Sequence, residues 1–217
     1  MSEPKLILID KFPLPFLLSL PEPADRTTGG GDGTPVLCFL HGMMEGPPTE
    51  LHTGLTAHGP LKRGNEAIAV SNFIVAAPQL PSRGDIWHNY ADDVCELAGY
   101  LHAHYGGDPA RTYLTGFSFG GNGVFDVALL VPDLWTALWP VDPTRVPHTD
   151  PGLPVWLSVG EAARFQADQF IDRLKLTPPG PQPLRRIYQD FGLNHVDTAT
   201  AAYHSETVYR WLLSQHG

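Results

Sequence analysis

The fold is decided by Thr115-Gly116-Phe117-Ser118-Phe119-Gly120-Gly121, in which one serine lies between two glycines. The apolar run 111–114 before this stretch predicts a strand, and residues 122–130 after it can form a helix that Pro132 ends. Glycines two residues before and two residues after the serine let the backbone turn sharply between these elements. The pattern therefore predicts a nucleophile elbow, which exposes the serine hydroxyl in a cleft.

The composition bounds the class of protein. The chain has 217 residues, 42% of them hydrophobic and 17% charged, so we expect one globular domain over residues 1–217. A net charge of −9 and the lack of any Lys or Arg run argue against nucleic-acid binding. Cys38 and Cys95 form no Cys-x-x-Cys motif, so both are expected to be reduced structural thiols.

The apolar segment 12–20 is the one stretch that resembles a signal peptide. Pro13 and Pro15 interrupt it, and Glu22 stands where a cleavage site needs a small residue. No apolar run approaches the roughly 20 residues that a membrane-spanning helix requires. We therefore expect a cytoplasmic protein without membrane insertion.

Short apolar runs alternate with segments of helical periodicity, which predicts an α/β fold with a mainly parallel sheet covered by helices on both faces. Two opening strands, 5–10 and 14–20, are expected to form an antiparallel edge, and 21–35 is predicted to be a mobile surface loop because it is rich in Gly, Pro, Asp and Thr. Further strands are predicted at 36–40, 72–77, 111–114, 134–141, 155–159 and 185–189, and helices at 90–105, 122–130, around 170–174 and at 201–215.

A serine hydroxyl becomes a useful nucleophile when a base removes its proton during attack. Of ten histidines, His195 is the best candidate, because it lies in the short loop between the last predicted strand and the last predicted helix. Such loops emerge at the carboxyl edge of a parallel sheet, as Ser118 does. His41, at the end of strand 36–40, is interpreted as a structural residue that ties its loop by hydrogen bonds.

Acyl transfer also needs two donors for the oxyanion of the tetrahedral intermediate. The backbone N–H of Phe119, directly after the serine, is one candidate, and that of Met43, in the loop after His41-Gly42, is the other. Trp87 and Trp139 lie near predicted strand ends on the same side and are candidates for lining a substrate pocket, although aromatic residues more often belong to the core.

With these residues in view, the chain resembles the α/β-hydrolase superfamily, and within it the predicted-esterase branch of phospholipase/carboxylesterase and feruloyl-esterase-like proteins. The resemblance implies a serine hydrolase without cofactor, which acts on small-molecule esters of modest size through an acyl-enzyme. The matching segments are 39–42 with Glu45-Gly46, His58-Gly59-Pro60, 75–79, 113–121, 154–156, Asn194-His195 and 209–213.

The chain departs from this family at the acid of the triad. Such enzymes usually carry an aspartate three residues after the glycine that ends the strand before the histidine unit; here that glycine is Gly160, and Ala163 occupies the position. Asp142, directly after predicted strand residues 138–141, is the first substitute, and Glu161 is the second. The third possibility is that no acid is present, which costs a factor of about 10⁴ in the serine-protease template.

The sequence thus predicts a hydrolase in which Ser118 attacks a small or medium carboxylic ester or thioester, His195 moves the proton and Asp142 orients the base. Two alternatives stay open. One is a biosynthetic acyltransferase or cyclase on the same scaffold, in which an amine, an alcohol or an internal group replaces water. The other is a non-catalytic binding protein that keeps the elbow. The oligomeric state and the natural substrate do not follow from the sequence.

Overall fold

The computed structural model describes residues 5–21, 33–65, 69, 71–180 and 184–217. Within these residues the strands form one eight-stranded sheet. They are β1 (Ile7–Ile9), β2 (Phe16–Ser19), β3 (Thr34–Leu40), β4 (Ile74–Pro78), β5 (Gly107–Phe117), β6 (Ala137–Val141), β7 (Val155–Val159) and β8 (Arg186–Asp190).

The order of strands across the sheet is β1-β2-β4-β3-β5-β6-β7-β8. The β1–β2 and β2–β4 pairs are antiparallel, and the other pairs are parallel. The mainly parallel sheet with an antiparallel edge is therefore confirmed. The predicted surface loop 21–35 lies largely outside the described residues, since 22–32 are not described and β3 already begins at Thr34.

Helices follow most of the parallel strands. They are α1 (Leu51–Ala57), α2 (Ala91–Tyr105), α3 (Phe119–Leu130), α4 (Glu161–Arg164), α5 (Ala167–Leu174), α6 (His195–Tyr203) and α7 (Glu206–Leu213), with short 3-10 helices at Trp87–Tyr90 and Pro132–Leu134. None of the helices in the described part of the chain has both the length and the apolar character needed to cross a membrane.

Strand β3 shows why the sheet is covered on both faces. Val36, Cys38 and Leu40 point into a core formed with α2, α3 and α5, whereas Leu37 and Phe39 point into a second core formed with α6 and α7. Successive residues of a strand face opposite sides, so a strand that is buried on both faces has a continuous apolar sequence. This packing fixes the carboxyl edge of the sheet, where the loops after β3, β5, β6 and β8 meet.

The end of the chain differs from the prediction. Instead of one helix at 201–215, the structure has α6 and α7, and α6 begins at His195. The Asn194 side chain accepts a hydrogen bond from the Asp197 backbone N–H at 2.9 Å and so caps α6. His195 is therefore the first residue of a helix, not a loop residue, although it still lies at the carboxyl edge of the sheet.

Candidate active site

Ser118 lies in the sharp turn between β5 and α3. Its φ of 59° and ψ of −117° are unusual for a residue with a side chain. The two flanking glycines allow this turn, because a Cβ on Gly116 would overlap the carbonyl oxygen of Gly120, and a Cβ on Gly120 would overlap that of Leu40. The turn has the geometry of the predicted elbow and presents the hydroxyl at the carboxyl edge of the sheet.

The structure brings Ser118, His195 and Asp142 together in one chain of hydrogen bonds. The Ser118 Oγ lies 2.9 Å from His195 Nε2, and His195 Nδ1 lies 2.6 Å from Asp142 Oδ2. Asp142 is fully buried, Ser118 is nearly so, and the His195 side chain is 31% exposed. The carboxylate accepts, so Nδ1 donates to Asp142, and in that tautomer Nε2 is the acceptor that faces the serine hydroxyl.

Three backbone amides, in addition to the imidazole, hold the Asp142 carboxylate. Its Oδ1 accepts from the N–H of Gly160 at 2.8 Å and of Ala163 at 2.9 Å, and its Oδ2 accepts from Ala162 at 3.2 Å. Burial raises the pKa of Asp142, but the hydrogen bonds from His195 and from these amides outweigh it, so the pKa lies below its usual range. The carboxylate therefore stays ionised beside the imidazole.

The competing acid takes no part in this arrangement. Glu161 is exposed at the start of α4, and the carboxylate in contact with the imidazole is that of Asp142. Asp142 reaches this place from the end of β6 with a left-handed backbone, φ 42°. Between the two candidate acids that the sequence left open, the geometry favours Asp142.

The loop after β3 lies against the nucleophile. A Cβ on Gly42 would lie 3.5 Å from the Ser118 Cβ, so the peptide between Gly42 and Met43 borders the serine. Phe119 begins α3, where backbone N–H groups have no partner within the helix. The two amides named from the sequence as oxyanion donors are therefore both near Ser118.

His41 fixes the orientation of this loop. Its Nδ1 lies 2.6 Å from the Gly42 carbonyl oxygen, and its Nε2 accepts from the Leu80 N–H at 3.0 Å, so the ring is neutral with its proton on Nδ1. Burial lowers the pKa of His41 to about 4. Because the peptide group is planar, holding the Gly42 carbonyl also sets the direction of the Met43 N–H. The interpretation of His41 as a loop-tying residue agrees with these bonds.

The two tryptophans lie deeper than the sequence suggested. Trp139 is fully buried among Tyr203 and Tyr209, and its indole N–H donates to Ser158 Oγ at 3.0 Å. The expectation that Trp139 lines a substrate pocket is therefore corrected, because both faces of β6 are covered. Trp87 is also nearly buried and donates to the His41 carbonyl at 3.0 Å, but it contributes to a cavity beside α3.

Sequence reasoning missed a buried acid and imidazole beside the site. Glu45 Oε1 lies 3.6 Å from His58 Nε2. The Phe117 ring lies between two imidazoles: its centroid is 5.0 Å from that of His58 and 4.6 Å from that of His195. Burial raises the pKa of Glu45 and lowers that of His58 to about 4. Within the described residues, Glu45 Oε2 and His58 Nδ1 are buried without a hydrogen-bond partner. The signal was the pair of motifs Glu45-Gly46 and His58-Gly59-Pro60, whose residues meet only in the folded chain.

The chain matches no protein-family model. It also matches no curated protein sequence. Among solved structures, it is similar over 99% of its length to a thermostable esterase, with a TM-score of 0.69 at 18% identity, and it spans 64% of that esterase's chain. It is also similar to FphF, a fluorophosphonate-binding serine hydrolase of Staphylococcus aureus solved with substrate bound, with a TM-score of 0.67 at 13% identity over 99% of this chain and 100% of that one. These similarities show that the chain has the α/β-hydrolase fold.

Proposed function

We propose that this protein is a serine hydrolase that cleaves a small or medium carboxylic ester or thioester through an acyl-enzyme. The observation that carries the proposal is the unbroken chain of hydrogen bonds from Ser118 through His195 to Asp142. A hydroxyl, an imidazole and a carboxylate in this order make up the arrangement by which a serine is activated as a nucleophile.

In the first half of the reaction, Ser118 Oγ attacks the carbonyl carbon of the ester while its proton passes to His195 Nε2. The resulting oxyanion accepts hydrogen bonds from the Phe119 and Met43 amides. His195 then gives its proton to the leaving alcohol or thiol as the carbon–oxygen or carbon–sulfur bond breaks. The acyl group remains on Ser118 as an ester.

In the second half, a water molecule takes the place of the leaving group. His195 accepts its proton as the water oxygen attacks the acyl carbon, and returns that proton to Ser118 Oγ as the acid product leaves. Asp142 stays ionised through both halves, because its pKa lies below the usual range, and it stabilises the imidazolium that forms twice in each cycle.

The two structural neighbours agree with this proposal, since one is described as an esterase and the other as a serine hydrolase that binds fluorophosphonates. Both share the α/β-hydrolase fold with this chain at low sequence identity. The fold alone hosts many activities. The proposal therefore depends on the residues at the carboxyl edge of the sheet more than on the neighbours.

The test is pre-steady-state hydrolysis of 4-nitrophenyl esters from acetate to octanoate. The wild-type protein is expected to release a burst of about one equivalent of 4-nitrophenol, followed by slower turnover as the acyl-enzyme hydrolyses. Ser118→Ala removes the burst and lowers turnover by about 10⁴-fold or more. Ester turnover that is unchanged in Ser118→Ala contradicts the proposal. Adding alcohols or amines and analysing the products separates hydrolysis from acyl transfer.

A further inference from the structure

A cavity of about 170 Å³ lies beside the elbow, between α3, the 3-10 helix at Trp87–Tyr90 and the loop after β6. Its apolar wall consists of Ile86, Trp87 and Phe119. Phe119 directly follows Ser118, and the loop after β6 begins at the candidate acid Asp142. The cavity is therefore lined by the residue next to the nucleophile and by the loop that begins at the candidate acid, which places it beside Ser118.

The polar side of the cavity is formed by Arg145 and Asp126. The Arg145 guanidinium donates a hydrogen bond through Nη2 to Asp126 Oδ2. The Arg145 side chain is 43% exposed, whereas that of Asp126 is 14% exposed. A guanidinium has five N–H donors in a rigid fork, so it can hold Asp126 with one edge and offer the other edge to a second acceptor.

Asn122 fixes the backbone segment from which the Arg145 side chain extends. Its Oδ1 accepts from the backbone N–H groups of Thr144 at 2.9 Å and Arg145 at 3.2 Å, and its Nδ2 donates to Thr144 Oγ1 at 2.8 Å. Asn122 is only 7% exposed and lies in the first turn of α3. The position from which the guanidinium extends is thus fixed relative to Ser118, which is the preorganisation that a recognition site needs.

From this geometry we infer that the cavity is a substrate subsite for a short group that ends in a carboxylate, with Arg145 as the residue that recognises it. The inference rests on the proposed ester hydrolysis and adds a substrate class to it: compact esters that carry a second, free carboxylate. A cavity of about 170 Å³ holds a short substituent but not a long acyl chain, so the esters that fit it are compact. Planar, two-point recognition of a carboxylate is the interaction for which arginine is suited.

The role of Asp126 follows from its charge. It holds the guanidinium but also competes with a substrate carboxylate for it. Removing the arginine charge and removing the aspartate charge should therefore shift the preference for anionic substrates in opposite directions. A residue that only supports the fold does not produce such a pair of opposite effects.

The experiment compares kcat/KM for esters matched in shape. Monomethyl succinate and methyl levulinate carry a carboxylate or a ketone on the acyl side, and carboxymethyl butyrate and acetonyl butyrate carry the same groups on the alcohol side. The variants are Arg145→Met, Asp126→Asn and, as a control for net charge, Arg210→Met on the exposed face of α7, whose side chain is 76% exposed. Each ratio compares two substrates on one preparation, so it does not depend on the amount of folded protein.

For one of the two substrate pairs, the wild-type protein is expected to prefer the carboxylate by about tenfold or more, as for a hydrogen bond to a charged group. Arg145→Met abolishes that preference, Asp126→Asn increases it severalfold, and Arg210→Met leaves it unchanged. Equal ratios in wild type and Arg145→Met overturn the subsite. A wild-type protein that reacts with a fluorophosphonate at Ser118 but hydrolyses none of the four esters also overturns it, whereas one that neither reacts nor hydrolyses overturns the proposed function itself.

Discussion

The backbone N–H of Ala163 donates a hydrogen bond to Asp142 Oδ1 at 2.9 Å. Ala163 stands where the resemblance to esterases implies an aspartate, so the residue at that position supports, through its backbone, the acid that we propose on the neighbouring strand. β6 and β7 are parallel neighbours, and their carboxyl ends lie side by side. A carboxylate at the end of β6 can therefore reach the same imidazole as a carboxylate that follows β7.

Asp142→Asn should lower kcat by about 10³- to 10⁴-fold, because an amide neither stabilises the imidazolium nor enforces the tautomer that presents Nε2 to the serine. Glu161→Gln is the matched control and should retain wild-type kcat, since Glu161 is exposed. Steady-state hydrolysis of an activated ester measures both. Full activity in Asp142→Asn, or an equal loss in Glu161→Gln, is incompatible with Asp142 as the acid.

Gly160→Ala should reduce activity because the added methyl group displaces the Asp142 carboxylate. A Cβ at this position would overlap Thr198 Oγ1 and would lie 2.8 Å from Asp142 Oδ2, so the carboxylate and the start of α6 have to shift apart. Gly99→Ala is the control: Gly99 lies in α2 with no atom within 4 Å of the added Cβ, and alanine there should stabilise the fold by up to about 1 kcal/mol. Activity and thermal unfolding are measured for both variants. Wild-type activity in Gly160→Ala speaks against the role given to this contact.

Stability should fall as the pH decreases from about 6.5 towards 4. Burial lowers the pKa of His41 from 6.5 to about 4, so between these values the unfolded chain binds a proton that the folded chain excludes. His41 contributes stability that is complete above pH 6.5 and lost as the pH falls through about 4, to an extent of about 3 kcal/mol. His58 acts in the same direction, whereas Glu45, whose pKa burial raises, acts in the opposite direction.

Urea unfolding between pH 4.5 and 7.5 measures this dependence. His58→Asn removes one of the two histidines and should give a shallower pH dependence than wild type. A pH dependence of stability that is the same in wild type and His58→Asn contradicts the buried, neutral state of His58.

Glu45→Gln should stabilise the fold at pH 8 and have a much smaller effect near pH 4. Burial raises the pKa of Glu45, so its favourable contribution is complete below the ordinary pKa of 4.5 and is lost as the pH rises through the raised value. Gln has the same shape without the buried charge. Glu50→Gln should instead destabilise the fold at pH 8, because exposed Glu50 caps α1 by accepting from the backbone N–H groups of His52 and Thr53. Thermal unfolding at both pH values compares them, and destabilisation by Glu45→Gln at pH 8 contradicts the prediction.

Much of the fold was predictable because the informative patterns are local. The apolar run of β3 reflects burial on both faces. Gly116 and Gly120 flank Ser118 because a side chain at either position would overlap a backbone carbonyl oxygen. The start of α6 differs from the prediction because Asn194 caps a helix that begins at His195, within the segment predicted to be a loop.

The less predictable features depend on contacts between distant parts of the chain. Choosing Asp142 over Glu161 requires the relative positions of β6, β7 and α6, which no sequence period encodes. The burial of Trp139 depends on Tyr203 and Tyr209 from the last two helices. In the same way, only the path of the loop after β3 brings Glu45 to His58.

An activated serine reacts with a fluorophosphonate, whereas an ordinary serine hydroxyl does not. Intact-protein mass spectrometry and peptide mapping after such treatment should find one covalent adduct, located on Ser118 and absent from a folded Ser118→Ala variant. An adduct on another residue, or labelling that persists in Ser118→Ala, would rule out Ser118 as the nucleophile that His195 activates.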